Sequence, residues 1–322
     1  MTHPPASHNL NLRGARCDVA DLLRLRFAAR DLKLSARRPA RSLLTGGERT
    51  RMRGRGIDFE EVRLYQPGDD IRTIDWRVTA RTQVPHTKLF REERERPVFM
   101  VIDQRASLFF GSRQCFKSVA AASLGATLAW TALGNSDRVG GLVFGDSEQH
   151  EIRPRRSKHA VLELLQQISR FNRQLSSPVT GDQSLSLSEV LADLRRIAKP
   201  GCAIFIVSDF HDFDEACEQQ LFELSRHTEI TLMHIYDPLE QQLGSNTALT
   251  ISNGRERCVL PANDRAFQRA WQADFETRLA SLVKRCQRLR IPLLSYSTAD
   301  DIQGLLRESY SATAPKKKHP RT

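Results

Sequence analysis

The apolar positions of this chain change regime at about residue 97. Before it, "VADLLRLRFAARDL" places Val19, Leu22, Leu23, Leu25 and Phe27 close to a helical stripe with arginines between them, so residues 16–44 read as a helical opening. Gly46, Gly47, Gly54 and Gly56 then break the helix. "FEEVRLYQPGDDIRTIDWRVTAR" mixes short alternation with a Pro67-Gly68 turn, which predicts strands and loops up to residue 96. From Pro97 onward short apolar runs alternate with helical patterns. Strands are predicted at Val98–Asp103, Arg138–Phe144, Cys202–Asp209, Ile230–Tyr236 and Leu293–Ser297, with an edge-like strand at Gln149–Arg153. Helices are predicted at Gln114–Leu133, Lys158–Ser169, Ser188–Ala198, Glu215–Arg226, Arg265–Arg290 and Asp301–Tyr310. Thr247–Ser252 and Cys258–Leu260 flank "NGRE", a hairpin-like turn. Near-continuous apolar strands alternating with helices predict an α/β fold with a mostly parallel sheet covered on both faces. The expected division is a flexible 1–15, a helical and α+β motif segment over 16–96, the α/β domain over 97–310 and a basic disordered tail over 311–322.

Composition adds a compartment and a charge map. The chain has 322 residues, 40% hydrophobic and 27% charged, which suits a globular protein with a buried core. No apolar run reaches the ~18 residues needed to cross a bilayer, and "MTHPPASHNLNLRG" lacks a signal-peptide core, so a cytoplasmic location is expected. Cys17, Cys115, Cys202, Cys217, Cys258 and Cys286 form no C-x-x-C pair; buried reduced thiols are expected, and zinc is not. The formal charge of +11 is uneven: residues 1–96 carry a net of +8, Lys316, Lys317, Lys318 and Arg321 another +4, and the rest a net of −1. Such a surface suits an acidic protein partner or peripheral contact with anionic lipid. Nucleic acid is disfavoured, because no RNA-binding aromatic signature, helix-turn-helix or zinc finger accompanies the charge.

Candidate chemistry gathers where strands end. In doubly wound folds ligands bind at the loops after the carboxyl ends of strands. "MVIDQRAS" and "FIVSDFHD" put Asp103 and Asp209 there, and an acid beside short hydroxyl residues is how a hard cation is held. Asp209, His211, Asp212 and Asp214 also form the ligand set of a two-metal hydrolase. Against that, Asp212 or Asp214 is placed to cap the helix beginning near Glu215, and no nucleophile elbow, P-loop or H-E-x-x-H occurs. In the upstream segment Arg63, Arg72, Arg77 and Arg81 alternate with Asp69, Asp70 and Asp75. They read either as a salt-bridge lattice pinning the segment to the α/β domain or as a docking face anchored by Trp76.

The strand-end pattern resembles the von Willebrand factor A domain, whose metal-ion-dependent adhesion site uses an Asp-x-Ser-x-Ser loop, a distant threonine and a later aspartate. Asp103 and Ser107 match the loop, Asp209 matches the later aspartate, and Arg105 stands where the first serine belongs; Thr180, Ser184 and Ser186 are the candidates for the distant hydroxyl. "GRGIDFEEVRLYQPGDDIRTIDWRVTAR", with Gly54, Gly56, Phe59, Arg63, Tyr65, Pro67, Gly68, Asp69, Asp70, Arg72, Asp75, Trp76 and Arg81, resembles the signature of the domain of unknown function 58 family, which pairs it with an A-like domain. The resemblance implies a von Willebrand A-like (Rossmann-like) fold with a degenerate adhesion site. It also implies an adaptor or a substrate of a MoxR-type AAA+ ATPase in chaperone-like assembly, and with no catalytic motif in the chain no enzymatic activity is expected. A guanidinium has donors only and cannot replace a serine oxygen as a ligand. Two readings follow: Arg105 stands in for the cation by bridging Asp103 and Asp209, or it swings out and a weak Mg²⁺ site survives on Asp103, Ser107 and Asp209. The partner surface is expected at Asp103, Arg105, Ser107, Asp209 and Asp212, with an acid of the partner pairing with Arg105.

Overall fold

The computed structural model describes residues 10–34, 58–66, 71–91, 95–175, 185–244, 248–252 and 257–310. The chain forms two units, one of residues 47–96 and one of residues 1–46 with 97–322. The helical opening therefore belongs to the α/β unit, and only the motif segment stands apart, which moves the expected boundary from residue 16 to Gly47.

The larger unit is built on six strands: β3 (Pro97–Asp103), β4 (Arg138–Phe144), β5 (Gln149–Arg155), β6 (Ala203–Ser208), β7 (Glu229–Tyr236) and β10 (Leu293–Ser297). Their order is β10-β7-β6-β3-β4-β5. Every pairing is parallel except β4 with the edge strand β5. This is a doubly wound, Rossmann-like order that reverses between β3 and β6. The reversal puts the ends of those two strands side by side.

The central strands β3 and β6 are apolar along nearly their whole length because both faces are covered, whereas the edge strand β5 is mostly polar and has one buried residue, Ile152. Val98, Met100 and Ile102 point to one core with α3 (Lys117–Gly134), α4 (Lys158–Gln174) and α9 (Ile302–Tyr310). Phe99 and Val101 point to the other with α5 (Leu187–Ile197), α6 (Glu215–Ser225) and α8 (Arg265–Leu289). α3 is buried all round, and its small residues allow close approach: a Cβ at Gly125 would lie 2.5 Å from the Ile102 side chain. β4 is as tight. A Cβ at Gly141 would lie 2.7 Å from the Met100 carbonyl oxygen, a backbone atom that cannot swing aside. Gly141→Ala is therefore expected to destabilise the fold by about 1–3 kcal/mol, read as a lower urea midpoint; an unchanged midpoint would refute this packing.

Several expectations need correction. Residues 10–15 are not a flexible leader. Leu10 and Leu12 pack on the core, Asn11 Nδ2 donates to Asp301 at 2.7 Å, and Gly14 bridges to Cys115. In the opening helix α1 (Val19–Arg24) and the 3-10 turn after it, Leu22 and Leu25 are buried, but Phe27 is exposed, with Arg26 and Arg30 over its ring. The apolar stripe continues instead through Ala28 and Ala29, because the tighter 3-10 turn shifts the phase. Cys258 is exposed, while the other five thiols are buried. The tail and the proposed hydroxyl residues Thr180 and Ser184 lie outside the described residues.

The smaller unit pairs β1 (Asp58–Leu64) antiparallel with β2 (His86–Arg91), with α2 (Trp76–Thr82) between them in sequence. A second hairpin, β8 (Leu249–Ser252) with β9 (Arg257–Leu260), belongs to the larger unit, as does the short α7 (Pro238–Gln241).

Candidate functional site

The site is assembled at the carboxyl ends of β3, β6 and β7. Asp103, the last residue of β3, is completely buried. Arg105 folds back over it: Nε donates to Oδ1 at 3.1 Å, Nη2 to Oδ2 at 2.8 Å, and the Arg105 backbone N–H to Oδ1 at 2.9 Å. The Ser208 hydroxyl donates to Asp103 Oδ2 at 2.7 Å. On its far side Arg105 grips Asp212, with Nη1 to Oδ2 at 2.6 Å and Nη2 to Oδ1 at 2.9 Å, and Nη1 also donates to the Leu185 carbonyl at 3.2 Å. All five guanidinium donors are thus engaged.

Arg105 therefore bridges Asp103 to Asp212, not to Asp209 as the sequence suggested. The cation on Asp209 is Lys117, from the first turn of α3. Its Nζ donates to Asp209 Oδ2 at 3.0 Å and to Glu240 Oε1 at 2.6 Å. Glu240 is fixed by a capping box at the start of α7, where its other oxygen accepts from the Asp237 N–H at 2.8 Å. Asp237, completely buried, accepts from Ser112, Thr298 and the Leu239 N–H. The saturated Arg105 leaves no donor for a partner's acid, which corrects the expected contact there.

Burial and pairing set the protonation. Burial pushes the Asp103 carboxyl up, against the pull of Arg105 and the Ser208 hydroxyl. For Asp209 burial also works upward, but the Lys117 ammonium and the His211 N–H outweigh it and hold the carboxyl below its usual range. Asp212 is held low in the same way, by Arg105 against burial. Burial disfavours the charge on Arg105 and on Lys117, yet their carboxylates raise both above the ordinary values.

The other candidate ligands are dispersed into structural roles. Asp214 caps α6, accepting from the Cys217 N–H at 2.7 Å. Asp212 also accepts from the Leu187 N–H at 2.8 Å, holding the start of α5, and Ser186 is the N-cap of that helix. Ser107 is exposed in a 3-10 turn, and His211 is exposed beside Arg278, whose Nη1 donates to the His211 Nδ1 at 3.2 Å. Among the described residues no group of three or more His, Cys, Asp or Glu is arranged to hold a metal ion. A divalent ion at Asp103 and Asp209 would have to displace a buried guanidinium and a buried ammonium, so the donor set as it stands does not fit one. Lys117 was missed, yet it is the one charged residue in the apolar run "KSVAAASLGATLAWTALG". A lysine at the positive end of a buried helix demands a carboxylate partner.

A cleft of about 50 Å³ is lined by Asp209 together with Phe210, His234, Phe275 and Arg278. Phe210 sits in the left-handed region, φ 50°, its N–H donating to the Ser208 hydroxyl at 3.0 Å. Burial lowers the His234 pKa from 6.5 to about 4. The unfolded chain thus takes up a proton near pH 6.5 and the folded one does so only near 4, so stability falls as pH drops through that window. The loss is about 3 kcal/mol. His234→Phe is expected to remove that part of the slope in urea unfolding across pH 4–7; an unaltered slope would contradict a buried neutral imidazole.

In the motif segment, Asp75 caps α2, accepting from the Arg77 and Val78 N–H groups at 3.0 and 3.2 Å. Trp76 is 67% exposed, not buried. Gly54, Gly56, Pro67, Gly68, Asp69 and Asp70 lie outside the described residues, and Phe59 lies in β1.

Residues 61–280, well over half of the chain, match the family described as Protein of unknown function DUF58. The chain belongs to this family. Uncharacterized protein Rv1480 of Mycobacterium tuberculosis (strain ATCC 25618 / H37Rv) is 29% identical over 306 residues, covering 94% of this chain and 91% of its own. Uncharacterized protein Mb1516 of Mycobacterium bovis matches to the same extent. Among solved structures, the conserved hypothetical protein BatB from Bacteroides thetaiotaomicron aligns with a TM-score of 0.42 at 13% identity, over 66% of this chain and 96% of its own. An aerotolerance-related membrane protein from Bacteroides fragilis aligns with a TM-score of 0.41 at 15% identity, over 66% of this chain and 98% of its own. Scores at this level do not establish a shared fold, and the Rossmann-like assignment of this DUF58 chain stands on its strand order. No helix among the described residues is long and apolar enough to cross a membrane.

Proposed function

We propose that this DUF58 protein is a non-enzymatic protein-interaction module whose strand-end site is neutralised by its own side chains rather than by a metal ion. One observation carries the reading: the carboxylates a cation would use, Asp103 and Asp209, are each held by a buried cation of the same chain, Arg105 and Lys117. A catalytic acid or base has to be free to exchange a proton. Groups locked in such pairs instead rigidify the loops that carry them. The rim they hold in place is Ala106, Ser107 and His211, all exposed, with Asp212 partly so. On this reading an A-like domain with a degenerate adhesion site presents a fixed rim to a MoxR-type AAA+ ATPase in the cytoplasm, as an adaptor in assembly of other proteins.

The test is reconstitution with a purified MoxR-type AAA+ ATPase from the same genome. The protein is treated with chelator and desalted before Mg²⁺–nucleotide is supplied to the ATPase. A complex that is indifferent to the chelation and is weakened by Ser107→Arg or His211→Glu is the expected result. Absence of a complex would remove the partner, and metal-dependent phosphoesterase activity of the isolated protein would remove the non-enzymatic reading.

A further inference from the structure

We propose that the exposed face of α2 is a docking surface for an acidic, amphipathic segment of a protein partner, separate from the strand-end rim. The observation is a concentration of exposed apolar side chains in one short stretch. Leu64 is 57% exposed, Ile71 64%, Trp76 67% and Val84 46%. Isolated exposed apolar residues need no explanation, but a set rimmed by charged groups marks an interaction site.

The geometry of α2 orders part of that set. Trp76, Arg77, Ala80, Arg81 and Thr82 are its exposed positions. Trp76 and Ala80 are four apart, as are Arg77 and Arg81, so the helix carries a Trp–Ala stripe beside an Arg–Arg stripe. The opposite side is tied down. The His86 N–H donates to Thr79 Oγ1 at 3.0 Å, and the Asp75 N–H donates to the His86 carbonyl at 2.8 Å. His86 in turn is the register partner of Leu64. Gln83, at φ 57°, ends the helix and turns the chain into Val84. The Asp75 carboxylate faces the helix start, so the exposed face of α2 holds two cations and no acid.

Charge and shape choose the occupant. Trp and Arg are the side chains that dominate binding hot spots. Two arginines that meet no acid among the described residues call for carboxylates. The Trp76–Ala80 stripe adds apolar contact area that phosphates do not use, so a protein segment is favoured over nucleic acid. A second copy would set arginine against arginine across a two-fold axis.

The experiment uses the full chain as bait for a displayed library of random peptides about sixteen residues long. Recovered peptides are expected to be rich in Asp and Glu with spaced Leu, Ile or Phe. Trp76→Ala, and Arg77→Glu with Arg81→Glu, should each weaken a synthetic copy of a recovered peptide about tenfold or more. Exchanging the peptide's acids for lysine should restore binding to the charge-reversed chain. These side chains are exposed, so an unchanged melting temperature verifies the fold of each variant. Ser107→Arg and His211→Glu should leave the peptide affinity unchanged, which keeps this surface distinguishable from the strand-end rim. Peptides without acidic enrichment, or indifferent to both α2 variants, would overturn the proposal. So would a concentration-dependent dimer, or binding to DNA or phosphatidylglycerol vesicles, that the α2 variants abolish in the absence of any peptide affinity.

Discussion

Arg105→Ser is expected to destabilise the fold by about 3–5 kcal/mol, the usual consequence of removing one partner from a buried ion pair. The penalty is large because the arginine is shared. Its loss uncovers Asp103, which has no solvent access, and at the same time frees Asp212 from its two guanidinium contacts. Two of the donors that remain on Asp103, the Ser208 hydroxyl and the backbone N–H of residue 105, are neutral and do not offset a buried charge. The same substitution restores the Asp-x-Ser-x-Ser pattern from Asp103 to Ser107. Millimolar Mg²⁺ should therefore raise the melting temperature of the variant and leave that of the natural protein where it is. Calorimetric titration gives the companion readout, heat of Mg²⁺ binding in the variant alone. Equal responses of the two proteins to Mg²⁺ would defeat the idea that Arg105 takes the place of a cation, and a variant as stable as the natural protein would show that the pair does not hold the site together.

Lys117→Met is expected to be of similar size, about 3–5 kcal/mol at pH 7, and to change sign in its response to acid. The methionine conserves most of the volume, so the effect is electrostatic. In the natural protein the ammonium holds Asp209 below the ordinary carboxylate range, so its contribution is present above that range and fades as pH falls through the folded value. Without the ammonium, burial, the largest influence on Asp209, is opposed by the His211 N–H and the Arg105 charge, and the carboxyl is expected to rise. The variant then binds a proton more readily when folded than when unfolded, and its deficit shrinks as pH drops toward the Asp209 pKa. Urea unfolding at pH 7 and near pH 4 measures this, and Asp209→Asn in the Lys117→Met background should recover part of the pH 7 loss. A deficit that stays constant with pH would mean that Lys117 acts through packing instead of through its charge.

Much of this was readable from local pattern. The strands from β3 to β10 and the longer helices between them lie close to the expected positions, because a central strand buried on both faces is apolar nearly throughout and a helix is one-sided or wholly small. The four-residue α7, which carries Glu240, is too short to leave a periodic pattern and is not among the expected helices. The ends were less legible. α3 begins at Lys117 and not at Gln114 because the chain first makes a close turn, in which a Cβ on Gly111 would collide with the Cys115 carbonyl oxygen. The Asp103 loop and the acids after β6 were also evident, as was the oddity of an arginine at position 105.

The sequence by itself determined the α/β class, the family and the presence of acids at the strand ends, since each of these is written in neighbouring residues. Only the tertiary structure decided which cation holds which acid. Arg105 and Asp212 are 107 residues apart, Lys117 and Asp209 are 92 apart, and Lys117 and Glu240 are 123 apart. Hydrophobic periodicity reports on contacts one helical turn or one strand pleat away, whereas these pairs exist because the strand order reverses between β3 and β6 and sets their ends side by side.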